Sequence, residues 1–295
     1  QKDYTANEGQ QHYCLSFFSE IRSFAYERKN QTMNQSERRR FLRRFLIRSL
    51  LKETVEYKRI EIPKDEEEQR LLLRALRNIR LPRPIDDSFL KIQDEYLKEE
   101  IASKGITDID SLVPVQPGLY LWQGDMTTLK CDAIVNAANS ERTGCYVPNH
   151  GCIDNAIHTY AGVELRLFCA KRMDEQGHLE PTGEAKITPA FNLPCKYILH
   201  TVGPIVIGKV KDSDKETLAS CYLSCLKLAA QNNLESVAFC CISTGAFHFP
   251  NEMAAEIAVK TVKEFLKEKT SVKKVVFNVF KDYDKDIYER KLKSN

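Results

Sequence analysis

LYLWQGDMTTLKCDAIVNAANSERTGCYVPNHGC, residues 119–152, is the stretch from which the fold of this chain is read. It opens with an apolar run that predicts a strand, and the run ends at Gly124-Asp125, where the backbone must turn. A second apolar run, 133–135, predicts another strand and leads into Asn136-Ala137-Ala138-Asn139. Two strand ends thus bring polar groups to one edge of a sheet. Cys145, His150 and Cys152 follow in a short loop carrying Gly144, Pro148 and Gly151. Thiolate and imidazole are the ligand types zinc prefers, and three of them leave a fourth tetrahedral position open. The spacing is too tight for a structural finger, which needs four ligands and usually two separated pairs. The expectation is a ligand pocket with zinc in its wall; the plainer alternative is two free thiols and a surface histidine.

Working outward, Asp125 stands before Met126, Thr127 and Thr128, where it can cap a short helix or meet a ligand. Asn136 and Asn139 end an apolar strand without a packing reason; amides suit hydroxyl-rich ligands, and the alternative is an Asn-stabilised turn. Asp154 opens a helix directly after the cysteine loop. Capping is its ordinary role, but a carboxylate there can also orient water or bind a sugar. His158, one turn further, reads as a packed or surface residue. Farther on, Ser243, Thr244, Gly245, Ala246 and Phe247 follow an apolar strand and precede a helix opening at Asn251. Small residues ahead of a helix N-terminus make a diphosphate cradle, although the loop matches neither a Walker loop nor G-x-G-x-x-G.

Residues 1–112 read as an all-helical N-terminal region and 113–295 as an α/β unit. Ser36 is expected to cap a first helix whose stripe is Phe41, Leu42, Phe45, Leu46 and Leu50, with Arg38, Arg39, Arg40, Arg43, Arg44 and Arg48 facing solvent. Further helices are predicted over 65–80 and 86–102, the latter stopped by Gly105. Beyond Pro114 strands and helices alternate. Strands are predicted near 118–123, 133–137, 184–190, 196–202, 236–242 and 273–280, and helices over 154–169, 215–231 and 251–267. Such alternation gives a largely parallel or mixed sheet, with ligands beyond the carboxyl ends of its strands.

A formal charge of +3 over 295 residues gives no argument for nucleic acid, and none is expected as a partner. No run of about 18 apolar residues appears, so no membrane span is expected. Most of the ten cysteines lie singly in apolar runs, the pattern of buried thiols in a reducing, cytoplasmic setting.

Taken together, Gly124-Asp125-Met126, Ala133-Ile134-Val135-Asn136-Ala137-Ala138-Asn139, Cys152-Ile153-Asp154-Asn155-Ala156-Ile157-His158 and Ser243-Thr244-Gly245-Ala246-Phe247 resemble the motifs of a macrodomain. That family has a three-layer α/β/α fold with a mixed central sheet and binds ADP-ribose. Cys145, His150 and Cys152, together with the helical extension, resemble its zinc-containing ADP-ribosyl hydrolases. The resemblance implies that Asp125 accepts from the adenine amino group and that residues 243–247 wrap the diphosphate and distal ribose. It implies too that Asn139 holds that ribose and that Asp154 lies near its anomeric carbon beside zinc. The family often has glycine where this chain has His248. Hydrolysis of the bond between ADP-ribose and a protein carboxylate, by a monomer, is the implied activity. The alternatives are a non-catalytic reader of ADP-ribosylated protein and a deacetylase of O-acetyl-ADP-ribose.

Overall fold

A computed structural model describes residues 33–293 of the chain; residues 1–32 of the expected helical region and the last two residues lie outside the described residues. Helix α1 (Gln35–Lys52) is capped by Asn34, two residues before the expected Ser36. The reason is a reciprocal pair: Asn34 Oδ1 accepts from the Glu37 amide at 3.0 Å, and the Glu37 carboxylate accepts from the Asn34 amide at 3.2 Å. Helix α2 (Glu66–Ile79) is capped by Asp65, and helix α3 (Asp87–Lys104) ends on Gly105 at φ +86°. Leu42, Leu46, Leu50, Leu73, Leu76 and Leu97 close a first core between the three helices.

One arginine assigned to solvent is inside this core. Arg43 is 1% exposed, donating to Glu66 at 2.9 Å and to Gln69 at 3.4 Å. A guanidinium can be buried when its charge is paired, and α2 supplies acceptors to its Nε and Nη2.

The sheet comprises β2 (Leu119–Gln123), β4 (Ala133–Ala137), β5 (Ala185–Pro189), β6 (Tyr197–Thr201), β7 (Ser236–Phe239) and β8 (Lys274–Val279). Their order is β2-β8-β7-β4-β6-β5, parallel except for β5 against β6. Two short segments, β1 (Thr107–Asp108) and β3 (Leu129–Lys130), pair separately. Consecutive residues of a strand point to opposite faces, and consecutive residues of β4, β7 and β8 are buried. Both faces are therefore covered, giving the expected three-layer α/β/α macrodomain arrangement with a mixed central sheet. The covering helices are α4 (Ile153–Ala161), α5 (Val163–Gln176), α6 (Asp212–Gln231), α7 (Asn251–Phe265) and α8 (Asp282–Lys293).

The single helix predicted over 154–169 is two, separated at Gly162, whose φ of +103° and ψ of 173° are not helical. Gln93 of α3 fills the break: its Oε1 accepts from the Val163 amide at 3.0 Å, and a Cβ on Gly162 would stand 2.7 Å from its Nε2. Helix α8 was not anticipated. It places Ile287, Tyr288 and Leu292 in the larger core, three residues in a largely charged segment. Helix α3 reaches both cores, with Leu97 in the helical one and Ile101 in the one around the sheet.

Candidate functional site

Strands β2, β7 and β4 are parallel to their neighbours, so their carboxyl ends lie along one edge of the sheet. The loops carrying Asp125, residues 243–247 and Asn139 leave from those three ends. Three strand intervals separate β2 from β4, about 14 Å at the usual spacing, so an extended ligand is needed to touch both ends.

At the β2 end, Asn278 of β8 donates to the Gly124 carbonyl at 3.0 Å and fixes the turn. Asp125 Oδ1 accepts from the Thr127 amide at 3.0 Å and the Thr127 hydroxyl at 2.6 Å, capping the turn that contains buried Met126. Its Oδ2 meets Lys104 Nζ of α3 at 2.8 Å, and that ammonium lies 3.5 Å from the centre of the Tyr160 ring. Burial alone would raise the Asp125 pKa, but bonds from Lys104 and Thr127 prevail and hold it below the usual range.

At the β4 end, Asn136 is fully buried and its amide donates to Asp154 Oδ1 at 2.8 Å and to His200 Nδ1 at 3.2 Å. His200 Nε2 then carries the proton and donates to Thr188 Oγ1 at 3.0 Å. Burial holds the His200 pKa down at about 3, and that of His158, also buried, well below its ordinary value. Both rings are a neutral floor beneath Asp154. Burial pushes the Asp154 carboxyl up to about 6, against the Asn136 bond, the Arg166 charge and the Cys145 backbone. Asn139 donates to the Gly144 carbonyl at 3.2 Å, while its Oδ1 is buried without a protein partner and so free to accept from a ligand hydroxyl.

Cys145, His150 and Cys152 present ligand atoms that all lie within 4.8 Å of one another. A sulfur and a nitrogen on one tetrahedral zinc, at about 2.3 and 2.05 Å from it, are about 3.6 Å apart. Cys145 Sγ and His150 Nδ1 are 3.6 Å apart. The donor set therefore fits zinc. Cys152 is also the N-cap of α4, its sulfur accepting from the Asn155 amide at 3.4 Å. Burial pushes the Cys152 thiol up to about 12, so a cation binding there must itself displace the proton.

In the 243–247 loop, Ser243 is buried with its hydroxyl unpartnered, whereas Gly245 and Ala246 are exposed. The loop is closed by backbone bonds from His248 to Gly245 at 3.0 Å and from Phe249 to Ser243 at 3.0 Å. Closure leaves the amides of Gly245, Ala246 and Phe247 unused. Ser243 at φ +64° and His248 at φ +57° are left-handed. The latter is a conformation that glycine adopts without strain, and histidine takes it here.

Several residues that shape the site carried no signal of their own. Lys104 on Asp125, Arg74 on the cysteine loop and Arg166 beneath it come from helices that lie elsewhere in sequence.

Residues 135–258 match the family model described as Macro domain. A Protein-ADP-ribose hydrolase of Treponema medium is 56% identical over 262 residues, covering 88% of this chain and 99% of that protein. A Protein-ADP-ribose hydrolase of Staphylococcus aureus (strain MSSA476) is 53% identical over 74% of this chain and 82% of its own length. The Trypanosoma brucei macrodomain in complex with ADP-ribose superposes with TM-score 0.57 at 31% identity, covering 73% of this chain and 94% of that one. An Oceanobacillus iheyensis macrodomain with ADP gives TM-score 0.55 at 38% identity over 62% of this chain and 94% of that one.

Proposed function

The chain belongs to the Macro domain family, and on that premise we propose that it is a hydrolase releasing ADP-ribose from modified protein. We take the substrate to be a mono-ADP-ribosylated aspartate or glutamate and the cofactor to be zinc held by Cys145, His150 and Cys152. One observation carries the reading: the three candidate ligand atoms cluster in the loop whose last residue, Cys152, caps the helix that carries Asp154 in its first turn. A binding module needs the adenine and diphosphate contacts; a buried carboxylate adjoining a cation seat serves chemistry.

In this reading Asp125 and Met126 receive the adenine, and the free amides of residues 245–247 receive the diphosphate as charge-assisted donors. Asn139 Oδ1 and the Ser243 hydroxyl, both without protein partners, accept and donate to the distal ribose. Asn136 acts through Asp154, fixing its carboxylate so that the second oxygen faces the ribose or a water. Water attacks the anomeric carbon, the bond from that carbon to the protein carboxylate breaks, and the carboxylate leaves with the electron pair. The water's surplus proton goes to Asp154 or to solvent. A carboxylate is a good leaving group, so placement of the reactants and stabilisation of charge on the ribose dominate the catalysis. Zinc, when bound, supplies Lewis acidity toward an oxygen of water or substrate. The catalytic module is taken as 113–295, with 1–112 as its helical companion, in a monomer. Nine free cysteines among the described residues favour a cytoplasmic setting.

The test is incubation with a protein ADP-ribosylated on aspartate or glutamate, following free ADP-ribose. Release that stops on chelation supports the proposal. Tight binding without release makes the protein a reader and sinks the enzymatic account; release that a chelator leaves untouched removes zinc from it.

A further inference from the structure

The loop carrying the three metal ligands is held at its far end by a helix outside the α/β unit, and at its near end by an arginine of α5 that also binds the C-terminus of that helix. At its far end Arg74 of α2 donates through Nη2 to the His150 carbonyl at 2.9 Å and to Asn155 Oδ1 at 2.8 Å, with Nε on the same oxygen at 3.1 Å. Asn155 is fully buried; it gives its backbone amide to the Cys152 sulfur and its side-chain amide to the Val147 carbonyl at 2.9 Å. Asn78, one turn along α2, accepts from the Asn149 amide at 3.0 Å. At the near end Arg166 donates to the Thr143 carbonyl at 2.6 Å and to the Cys145 carbonyl at 3.3 Å. The same guanidinium reaches the carbonyls of Asn78 and Arg80 at 2.6 and 2.7 Å, at the C-terminus of α2, where a cation is favoured.

The bonds from Arg74, Asn155 and Asn78 act on the backbone beside His150 and Cys152 or on a ligand sulfur itself. Ligands brought together by a glycine- and proline-containing loop must lose conformational freedom when they close on an ion. A loop already ordered by its surroundings has lost that freedom in advance. We infer that α2 is a structural part of the metal centre, with Arg74 as the principal positioning residue for the Cys145–His150–Cys152 chelate. The N-terminal helical region thereby sets metal affinity. The inference rests on the zinc reading above.

The experiment measures zinc affinity of the full chain by competition with a chromophoric chelator, and the visible spectrum of the cobalt(II)-loaded protein. Arg74→Ala should raise the zinc dissociation constant about tenfold to a hundredfold, the range for residues that orient metal ligands. It should also shift or broaden the cobalt–thiolate bands. Arg74→Lys keeps one donor group and should fall between Ala and the original. Arg70→Ala is the control: Arg70 lies one turn away on α2, with its ion pairs to Glu66, Glu67 and Glu100, and should leave both readouts unchanged. If unsubstituted protein binds no zinc, the metal reading itself fails. If it binds zinc and Arg74→Ala binds equally tightly, or if Arg70→Ala loses as much affinity as Arg74→Ala, the brace is refuted.

Discussion

Gly144→Ala is the sharpest perturbation of the site, because Gly144 precedes Cys145, the first residue of the proposed metal-binding set, and has φ +84°. An L side chain in the left-handed region costs about 1–2 kcal/mol. Its Cβ would also stand 2.6, 2.7 and 2.9 Å from three atoms of the His158 ring. Ordinary contact begins near 3.4 Å, so the ring or the loop must retreat by about 0.8 Å. His158 is 6% exposed and packed beneath Asp154, leaving it little room, and overfilling such a site costs about 1–3 kcal/mol. The sum is about 2–5 kcal/mol, applied where a displacement of about 1 Å costs about a hundredfold in rate. We expect urea denaturation to show reduced stability and kcat/KM for ADP-ribose release to fall about a hundredfold. Trimming the obstacle provides the internal check: Gly144→Ala with His158→Ala should be less impaired than the two single effects added together. A Gly144→Ala protein with the original urea midpoint and the original turnover would refute the reasoning.

Asp125→Ala should weaken ADP-ribose binding about tenfold to a hundredfold, the worth of a hydrogen bond to a charged group, and titration calorimetry reads it; unchanged affinity removes Asp125 from the adenine seat. Gly203→Ala would put a Cβ 2.0 Å from the Ser243 hydroxyl and should displace the 243–247 loop, so that affinity for ADP-ribose drops by at least tenfold; binding as tight as before argues that the loop is not the diphosphate seat. Burial first, then the Asp94 charge, pushes Glu164 up to about 7 from its ordinary value of 4.5, although Gln93 bonds to it at 2.8 Å. The folded chain thus binds the proton more tightly than the unfolded one, and the stability this contributes is complete below about pH 4.5 and lost as pH rises through 7. Glu164→Gln should accordingly flatten that decline between pH 5 and pH 8 in thermal melts; a parallel pair of profiles would show that Glu164 is not its source.

The sheet was legible because its strands are short apolar runs, such as Ala133-Ile134-Val135, that end in turn residues. Covering helices with dense apolar periodicity, 215–231 and 251–267, were equally plain. Gly162 was not: a lone glycine inside an apolar pattern is commonly tolerated, and what breaks the helix there is Gln93, about seventy positions away. Arg43 misled for a similar reason, since a charge is assigned to solvent unless its acceptors, here Glu66 and Gln69 on another helix, are known. In the site, the clustering of Cys145, His150 and Cys152 was readable from local spacing because residues so close in sequence share one loop. Lys104 and Arg74 were invisible because their partners are distant in sequence and their chemistry, cation to oxygen, is that of any surface pair.

Helix α3 runs without interruption from Leu97 in one apolar cluster to Ile101 in the other, and Val163 at the start of α5 returns the favour from the opposite side. Anyone shortening the gene to a minimal catalytic fragment at residue 112 would strip the cover from Val163 and take Ile101 out of the remaining interior. Heating the intact protein should therefore produce a single calorimetric peak rather than two, because neither cluster can come apart while its neighbour keeps its seal.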